Sequence, residues 1–331
     1  MTLYESSGAG SINGQAPLRA LYGEILPAPG VAFAPRVAPI GWAAGDRCGS
    51  PRSAGLARDP ACYSALVLSA EPSLEVAVPP SVQKLIAGRS ARVVWKNERG
   101  GLTYEVAGPE RCFVKWTPAT SGIDLGKEAV RLDWAVAFSP VPRVLAKGAD
   151  DAGSWIITAA LAGQTAVSDR WKADPRRAVW AIGTGLRALH EALPVQTCPF
   201  VWSLTDRLDD AHRRAAAGRL VPAQWHQVHR SLRVQEALGV LADVPAIDRL
   251  VVCHGDACAP NTLLRDDGAW SGHVDLGSLG VADRWADLAV ATWSTQWNYG
   301  PGWERPLLEA YGVDPDPERT AYYRLMWDLG L

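Results

Sequence analysis

The feature that most constrains the fold is a change of hydrophobic pattern near residue 168. Between about residues 78 and 161, short β-branched and aromatic segments such as ARVVWKN, LTYEVAG and RCFVKWT are separated by Gly- and Pro-containing turns. This pattern is typical of antiparallel strands. One segment there, LGKEAVRLDWAVAF, has helical spacing instead, and helices such as RAVWAIGTGLRALHEAL dominate after residue 168. We therefore predict an α+β protein with a small antiparallel lobe carrying one helix and a larger, mainly helical lobe.

The pattern also predicts where these parts begin and end. Residues 1–77 are rich in Gly, Ala, Pro and Ser and show no sustained period, so we expect a weakly ordered or accessory extension. We place the small lobe at 78–161 and the helical lobe at 162–331. A cleft between two such lobes is a common place for a nucleotide site.

Composition excludes several classes of partner. The formal net charge is −2 and no basic run is interleaved with aromatics, which argues against nucleic acid. No apolar run approaches the roughly 18 residues of a membrane span, and the N-terminus lacks signal-peptide features. The six cysteines form no CxxC pair, which favours free thiols over disulfides or bound zinc. We expect a cytoplasmic protein without a membrane partner; the oligomeric state stays open.

The loop HGDACAPN at 254–261 is the most specific motif. Asp256 precedes Asn261 by five positions, and Asp275 follows a strand-like stretch in HVDLG. The same order occurs in kinases, where the loop Asp accepts a hydroxyl proton while the Asn and a later Asp hold Mg²⁺. We predict Asp256 as the catalytic base and Asn261 and Asp275 as metal ligands. His254 is expected to support the loop rather than to transfer protons.

Two charged residues upstream complete a phosphate-positioning pair. Lys115 lies in the alternating segment CFVKW, and Glu128 follows thirteen residues later in the first helix. A kinase places its phosphate-binding lysine on such a strand and pairs it with a helical glutamate. We predict that Lys115 and Glu128 form this pair in the nucleotide site.

Two weaker segments complete the predicted nucleotide site. Gly88 and Ser90 in AGRSARVV are predicted to cover the phosphates through backbone amides, although a full GxGxxG is absent. The stretch TAAL at 158–161 is predicted to present backbone groups of Ala159 and Leu161 to adenine, as the connection between the lobes.

Together these segments resemble the aminoglycoside phosphotransferases, in particular the 3'-phosphotransferases and the streptomycin 3''-phosphotransferases. The resemblance is carried by CFVKW, GKEAVRLDW, VVCHGDACAPNTLL and HVDLGSLGVADRWADLAVA. It implies a protein-kinase-like fold, use of Mg²⁺ and ATP (or GTP), and a role in antibiotic resistance. It also implies the roles given above to the loop residues and to the lysine–glutamate pair.

The acceptor side departs from the resemblance. The family usually supplies an acidic pair from the helical segment before the catalytic loop, whereas QWHQVHR at 224–230 contains no acid. We predict that Asp328, Trp225 and Asp283 contribute to acceptor binding. Tryptophans that could line the site stand at four positions: Trp202, Trp225, Trp297 and Trp303.

Three hypotheses follow. The first is an ATP-dependent O-phosphotransferase acting on an aminoglycoside. The second is a kinase of the same fold that acts on a less cationic hydroxylated metabolite or antibiotic, as the missing acidic pair suggests. The third is a catalytically silent nucleotide-binding protein, against which the intact Asp256, Asn261 and Asp275 argue.

Overall fold

The computed structural model describes residues 69–70 and 78–330, and every structural statement below refers to these residues. The extension predicted for residues 1–77 therefore lies outside the described residues, except for one short strand at 69–70. Cys48 and Cys62 lie outside them too, whereas Cys112, Cys198, Cys253 and Cys258 are free thiols.

The first lobe is built on a six-stranded antiparallel sheet with the order β1-β2-β3-β4-β6-β5. Its strands are β1 (Ser69–Ala70), β2 (Ala91–Asn97), β3 (Leu102–Val106), β4 (Cys112–Pro118), β5 (Val144–Asp150) and β6 (Gly153–Ala159). Alternation in the sequence correctly predicted antiparallel strands, because each of the central strands buries every second residue.

The two faces of this sheet have different partners. One face buries a cluster that includes Tyr104, Val114 and Trp116 together with Val82 of helix α1 (Pro80–Ile86). Helix α2 (Leu125–Ala135) contacts β5 and β6. The prediction of a single helix in this lobe was wrong, because the seven residues of α1 are too short to show a helical period.

The second lobe is mainly helical, as predicted. Its helices are α3 (Asp169–Lys172), α4 (Pro175–Ala192), α5 (Leu204–Ala216), α6 (Val234–Leu241), α7 (Trp285–Tyr299), α8 (Glu304–Tyr311) and α9 (Pro317–Gly330). Helix α4 begins where the Asp174 carboxylate accepts a hydrogen bond from the Arg177 amide, and it buries Ile182, Leu186 and Leu189 in the main core.

The segment QWHQVHRSLRVQEALGVLADV lies in the part of the chain predicted to be helical, but it does not form one continuous helix. Only α6 is α-helical there, and residues 226–232 form turns. The reason is tertiary: the His226 amide donates to the Asp328 carboxylate of α9, and the Arg230 side chain donates to the Trp225 carbonyl. These bonds replace the helical ladder.

Short strands inside the helical lobe hold the HGDACAPN segment. Strand β8 (Leu250–Cys253) pairs with β11 (Gly280–Asp283), and β9 (Thr262–Leu264) lies between β7 (Gln164–Thr165) and β10 (Trp270–His273). Residues 254–261 therefore connect β8 to β9, and Asp275 follows directly after β10. Across the described ranges, none of the helices is long and apolar enough to span a bilayer.

Candidate active site

A cavity of about 1420 Å³ lies between the sheet of the first lobe and the helical lobe. It is lined by Lys115, Glu128, Asp256, Asn261 and Asp275. All five were predicted from separate parts of the sequence as nucleotide, metal or catalytic residues. The fold brings them to one cleft, with 160 positions separating Lys115 from Asp275.

Lys115 contacts two carboxylates at once. Its Nζ lies 2.8 Å from Glu128 Oε2 and 2.7 Å from Asp275 Oδ1, joining β4, α2 and the segment after β10. Burial raises the pKa of Glu128 to about 7, and Asp275 adds to this rise while Lys115 opposes it. One lysine thus faces two carboxylates, so the cluster can bind a further positive charge.

The catalytic loop is fastened by a buried carboxylate of α7. Asp287 accepts hydrogen bonds from the amides of His254 (2.6 Å) and Gly255 (2.9 Å), and its Oδ2 lies 3.0 Å from His190 Nε2. Gly255 has a φ of 85°, and a Cβ there would lie 2.3 Å from the Ser278 carbonyl oxygen. The HGD segment therefore requires glycine at its centre.

His254 is fully buried and contacts backbone atoms of its own loop region. Its Nε2 donates to the Val274 carbonyl oxygen (2.9 Å), which leaves Nδ1 to accept from the Asp256 amide (3.2 Å). Both ring nitrogens are thus occupied in holding the loop, in keeping with a supporting residue.

The Asp256 side chain lines the cleft with one carboxylate oxygen shielded from solvent. Its Oδ1 is buried and has no hydrogen-bond partner among the described residues. Burial, and next the charge of Asp275, raise the pKa of this carboxyl. A carboxylate that is poorly solvated and unpaired is well suited to accept a proton from a bound hydroxyl.

Asn261 and Asp275 fit the requirements of Mg²⁺. The Asn261 Nδ2 donates to the Asp256 carbonyl (2.9 Å), so its Oδ1 remains available as a ligand. Asp275 has a φ of 65°, a left-handed conformation that is uncommon for aspartate and is often kept at functional positions. Burial would raise the pKa of Asp275, but Lys115 outweighs it and the net shift is downward. An ionised carboxylate and an amide oxygen are hard ligands of the kind Mg²⁺ prefers.

The turns at the two ends of β2 differ in whether they reach the cavity. Gly88 and Ser90 precede β2 and do not line the cavity, which instead receives the turn at the far end of β2, about 20 Å away along the strand. In that turn the Asn97 Oδ1 accepts from the amides of Arg99 (3.1 Å) and Gly101 (2.7 Å). The Gly-Gly pair between two alternating segments was the sequence signal for this hairpin.

The adenine contact predicted at the lobe connection stays a prediction. Ala159 ends β6 and Leu161 follows it, but neither lines the cavity. The Leu161 carbonyl accepts a hydrogen bond from Arg111 Nη2 (2.9 Å), which fastens this connection to β4's N-terminal end.

None of the three predicted acceptor residues lines the cavity. The Asp328 side chain is buried beside His229 Nδ1 (2.5 Å). Asp283 accepts from the amides of Asp248 (2.7 Å) and Trp285 (2.9 Å) at the start of α7. Trp225 is only 3% exposed and belongs to the core. All three side chains are engaged in contacts within the helical lobe, because local sequence does not show which way a side chain faces.

Other aromatic residues line the cleft. Trp202 and Trp297 do so, as the sequence suggested, whereas Trp303 does not. Trp327 also lines it and was missed, although it is the neighbour of Asp328 on α9. Along a helix, adjacent residues point about 100° apart, so one faces the cleft while the other faces the core.

Comparisons with known proteins agree with this geometry. Residues 82–323 match the family described as "Phosphotransferase enzyme family". An aminoglycoside 3'-phosphotransferase of Streptomyces fradiae is 38% identical over 252 residues, which are 70% of this chain and 91% of the relative. A streptomycin 3''-kinase of Streptomyces griseus is 36% identical over 246 residues, covering 70% and 88%.

Solved structures give the same result. The type VIII aminoglycoside-3'-phosphotransferase superposes with a TM-score of 0.66 and 32% identity, over 75% of this chain and 96% of that chain. APH(3'')-Id of Streptomyces rimosus, determined in complex with ADP and streptomycin, gives a TM-score of 0.59 and 28% identity over 70% and 90%. The fold is thus protein-kinase-like, and the chain belongs to the phosphotransferase enzyme family that includes the aminoglycoside phosphotransferases.

Proposed function

We propose that this chain transfers the γ-phosphoryl group of ATP to a hydroxyl group of an aminoglycoside, and thereby inactivates the antibiotic. The observation that carries the proposal is the meeting of Asp256, Asn261, Asp275 and the Lys115–Glu128 pair in one cleft. The relatives named above supply the acceptor class. Since ATP is a cytoplasmic substrate, we propose a cytoplasmic location.

In the proposed mechanism the Asp256 carboxylate accepts a hydrogen bond from the acceptor hydroxyl and takes its proton as the hydroxyl oxygen attacks the γ-phosphorus and the bond from that phosphorus to ADP breaks. The raised pKa of Asp256 favours this transfer, since a stronger base takes a proton more readily. A positioned base of this kind contributes roughly 10²- to 10⁴-fold to the rate.

Lys115 would bind the α- and β-phosphates, held in place by Glu128 at 2.8 Å. The backbone amides of the turn at 97–101 would cover the phosphates from the sheet side. Asn261 and Asp275 would hold Mg²⁺, which when bound neutralises charge on the phosphates. The Lys115–Asp275 contact would then loosen, because the same carboxylate would serve the metal.

The test is a coupled ADP-release assay with purified protein, ATP and an aminoglycoside panel, with Asp256→Asn beside the wild type. We expect acceptor-dependent turnover by the wild type and a loss of at least about 100-fold in kcat for the variant. ATP affinity should be preserved, because Asp256 is not assigned to the phosphates. No turnover of any aminoglycoside by folded wild-type protein would refute the assignment.

The silent nucleotide-binding alternative makes the opposite prediction. It expects ATP binding by the wild type without any acceptor-dependent ADP release, and no difference between wild type and Asp256→Asn. The meeting of Asp256, Asn261 and Asp275 in one cleft argues against it, because these are the residue types that phosphoryl transfer requires.

A further inference from the structure

The wall of the cleft next to the catalytic loop is formed by α7 and α9. The residues that face the cavity from these helices are Ser294, Trp297, Asn298, Trp327 and Gly330. None of the five carries a charge. This group of residues is called the tryptophan wall below.

The tryptophan wall is directly tied to the catalytic loop. The Ser294 Oγ accepts a hydrogen bond from the Ala259 amide at 2.9 Å, and Ala259 lies between Asp256 and Asn261. Trp297 follows Ser294 by three positions on the same helix face. The Trp293 ring, with its centroid 5.3 Å from that of Trp297, packs behind it. Trp297 is thus a supported aromatic surface beside the reacting centre.

The nearest carboxylate on α9 does not serve the cleft. The side chain of Asp328 is 2% exposed and is held by His229 Nδ1 (2.5 Å) and by the His226 amide (3.1 Å). Among the residues that the structure describes, the tryptophan wall therefore has no negative charge with which to pair an ammonium group of the acceptor.

Besides Asp256 and Asp275, the charged residues of the helical lobe that line the cavity lie elsewhere and have both signs. On α5 they are Asp206, Asp210 and Arg207, whose guanidinium lies 4.0 Å from the Trp202 ring centroid. The α3 region adds Asp169, Arg170 and Lys172. This mixture contrasts with the concentrated negative charge that a molecule with many ammonium groups requires.

We propose, on the basis of the proposed function, that Trp297 and Trp327 bind an uncharged ring face of the acceptor and select aminoglycosides with few positive charges near the reacting hydroxyl. An ammonium group placed against the tryptophan wall loses hydration without gaining a carboxylate partner from the wall itself. An indole face attracts one cation only weakly at an exposed site, which does not compensate several desolvated charges.

The experiment compares acceptors and variants in the coupled assay, with full-length protein. The acceptors are streptomycin, kanamycin and neomycin, in order of rising positive charge, together with neutral disaccharides. The variants are Trp297→Ala, Trp297→Phe and Trp297→Glu. The matched control is Trp180→Ala, because Trp180 is 55% exposed on α4 and does not line the cavity.

We expect kcat/KM of the wild type to fall as acceptor charge rises. Trp297→Ala should raise the KM of the best acceptor about tenfold, with the KM of ATP unchanged, whereas Trp297→Phe should change it less than about threefold, since a ring is retained. Trp297→Glu should improve kcat/KM for neomycin about tenfold by supplying a carboxylate. Trp180→Ala should behave as the wild type.

Two results would overturn the inference: neomycin as the best acceptor of the wild type, or an unchanged acceptor KM in folded Trp297→Ala. The proposed function fails separately. Turnover of neutral disaccharides but of no aminoglycoside would reject the aminoglycoside acceptor and support the uncharged tryptophan wall. Turnover of no acceptor at all would reject both.

Discussion

Asp287 offers the sharpest test of how the active-site loop is held. Its carboxylate is fully buried and accepts from two loop amides and from the His190 ring. Asp287→Ala leaves these three donors buried without a partner, at about 1–3 kcal/mol each. Partial relaxation reduces the sum, so we expect a loss of about 3–5 kcal/mol, as is usual when one partner of a buried pair is removed. That is a large share of the roughly 5–15 kcal/mol that stabilise an ordinary domain.

The assay is equilibrium unfolding in urea, followed by tryptophan fluorescence, with kcat/KM measured on the folded variant. Asp209→Ala is the control, because Asp209 is exposed on α5 and its side chain makes no hydrogen bond to the described residues. We expect the control to stay within about 0.5 kcal/mol of the wild type. A loss below about 1 kcal/mol for Asp287→Ala would refute the argument that this carboxylate fastens the loop.

The pH dependence gives an independent check of the same contact. Burial by itself would raise the pKa of Asp287, but the hydrogen bond and charge of His190, with the loop contacts, outweigh it and lower the pKa. An aspartate in the unfolded chain has a pKa of about 3.9. The stabilisation is therefore complete above about pH 4 and is lost as the pH falls through the lower folded-state value. The stability difference between wild type and Asp287→Ala should shrink over that acid range, and a constant difference would contradict the linkage.

Three further substitutions test the other assignments. Gly100→Ala should raise the KM of ATP several-fold, because Gly100 has a φ of 79° in the turn at the cleft. Gly88→Ala is the control: Gly88 has a similar φ of 73°, but its substitution should leave the KM of ATP unchanged. Equal effects of the two substitutions on the KM of ATP would instead support the phosphate-covering segment predicted from the sequence at Gly88 and Ser90. Asp328→Asn should lower the urea concentration at the midpoint of unfolding and leave the KM of the acceptor nearly unchanged. A large rise in the acceptor KM without destabilisation would support the original prediction that Asp328 binds the acceptor. Lys115→Met should raise the KM of ATP and reduce kcat, measured by ADP release, and normal nucleotide kinetics would exclude it from the phosphates.

Much of the fold could be predicted from the sequence because local patterns and final elements agree. Alternation in LTYEV and CFVKWTP survives as β3 and β4, and the apolar stripe of α4 faces the core. Prediction failed where tertiary contacts decide the local structure. Residues 226–232 have helix-forming composition but form turns, since His226 and Arg230 are engaged by distant or non-helical partners.

The residues of the candidate site also fall into two groups: those predictable from the sequence and those that only the fold placed. The sequence by itself determined Asp256, Asn261 and Asp275, because a short loop and the strand after it bring residues at fixed spacing together. It also indicated Lys115 and Glu128, whose 2.8 Å contact needs only one strand and the following helix.

Only the tertiary structure decided which turn lines the cleft and which aromatic residues face it. Asn97, Arg99 and Gly101 line the cleft while Gly88 does not, because the direction of β2 across the sheet sets which end reaches the cavity. Trp327 faces the cleft and Asp328 faces His229. Their roles differ because side-chain direction depends on how α9 packs against distant segments, which local spacing does not encode.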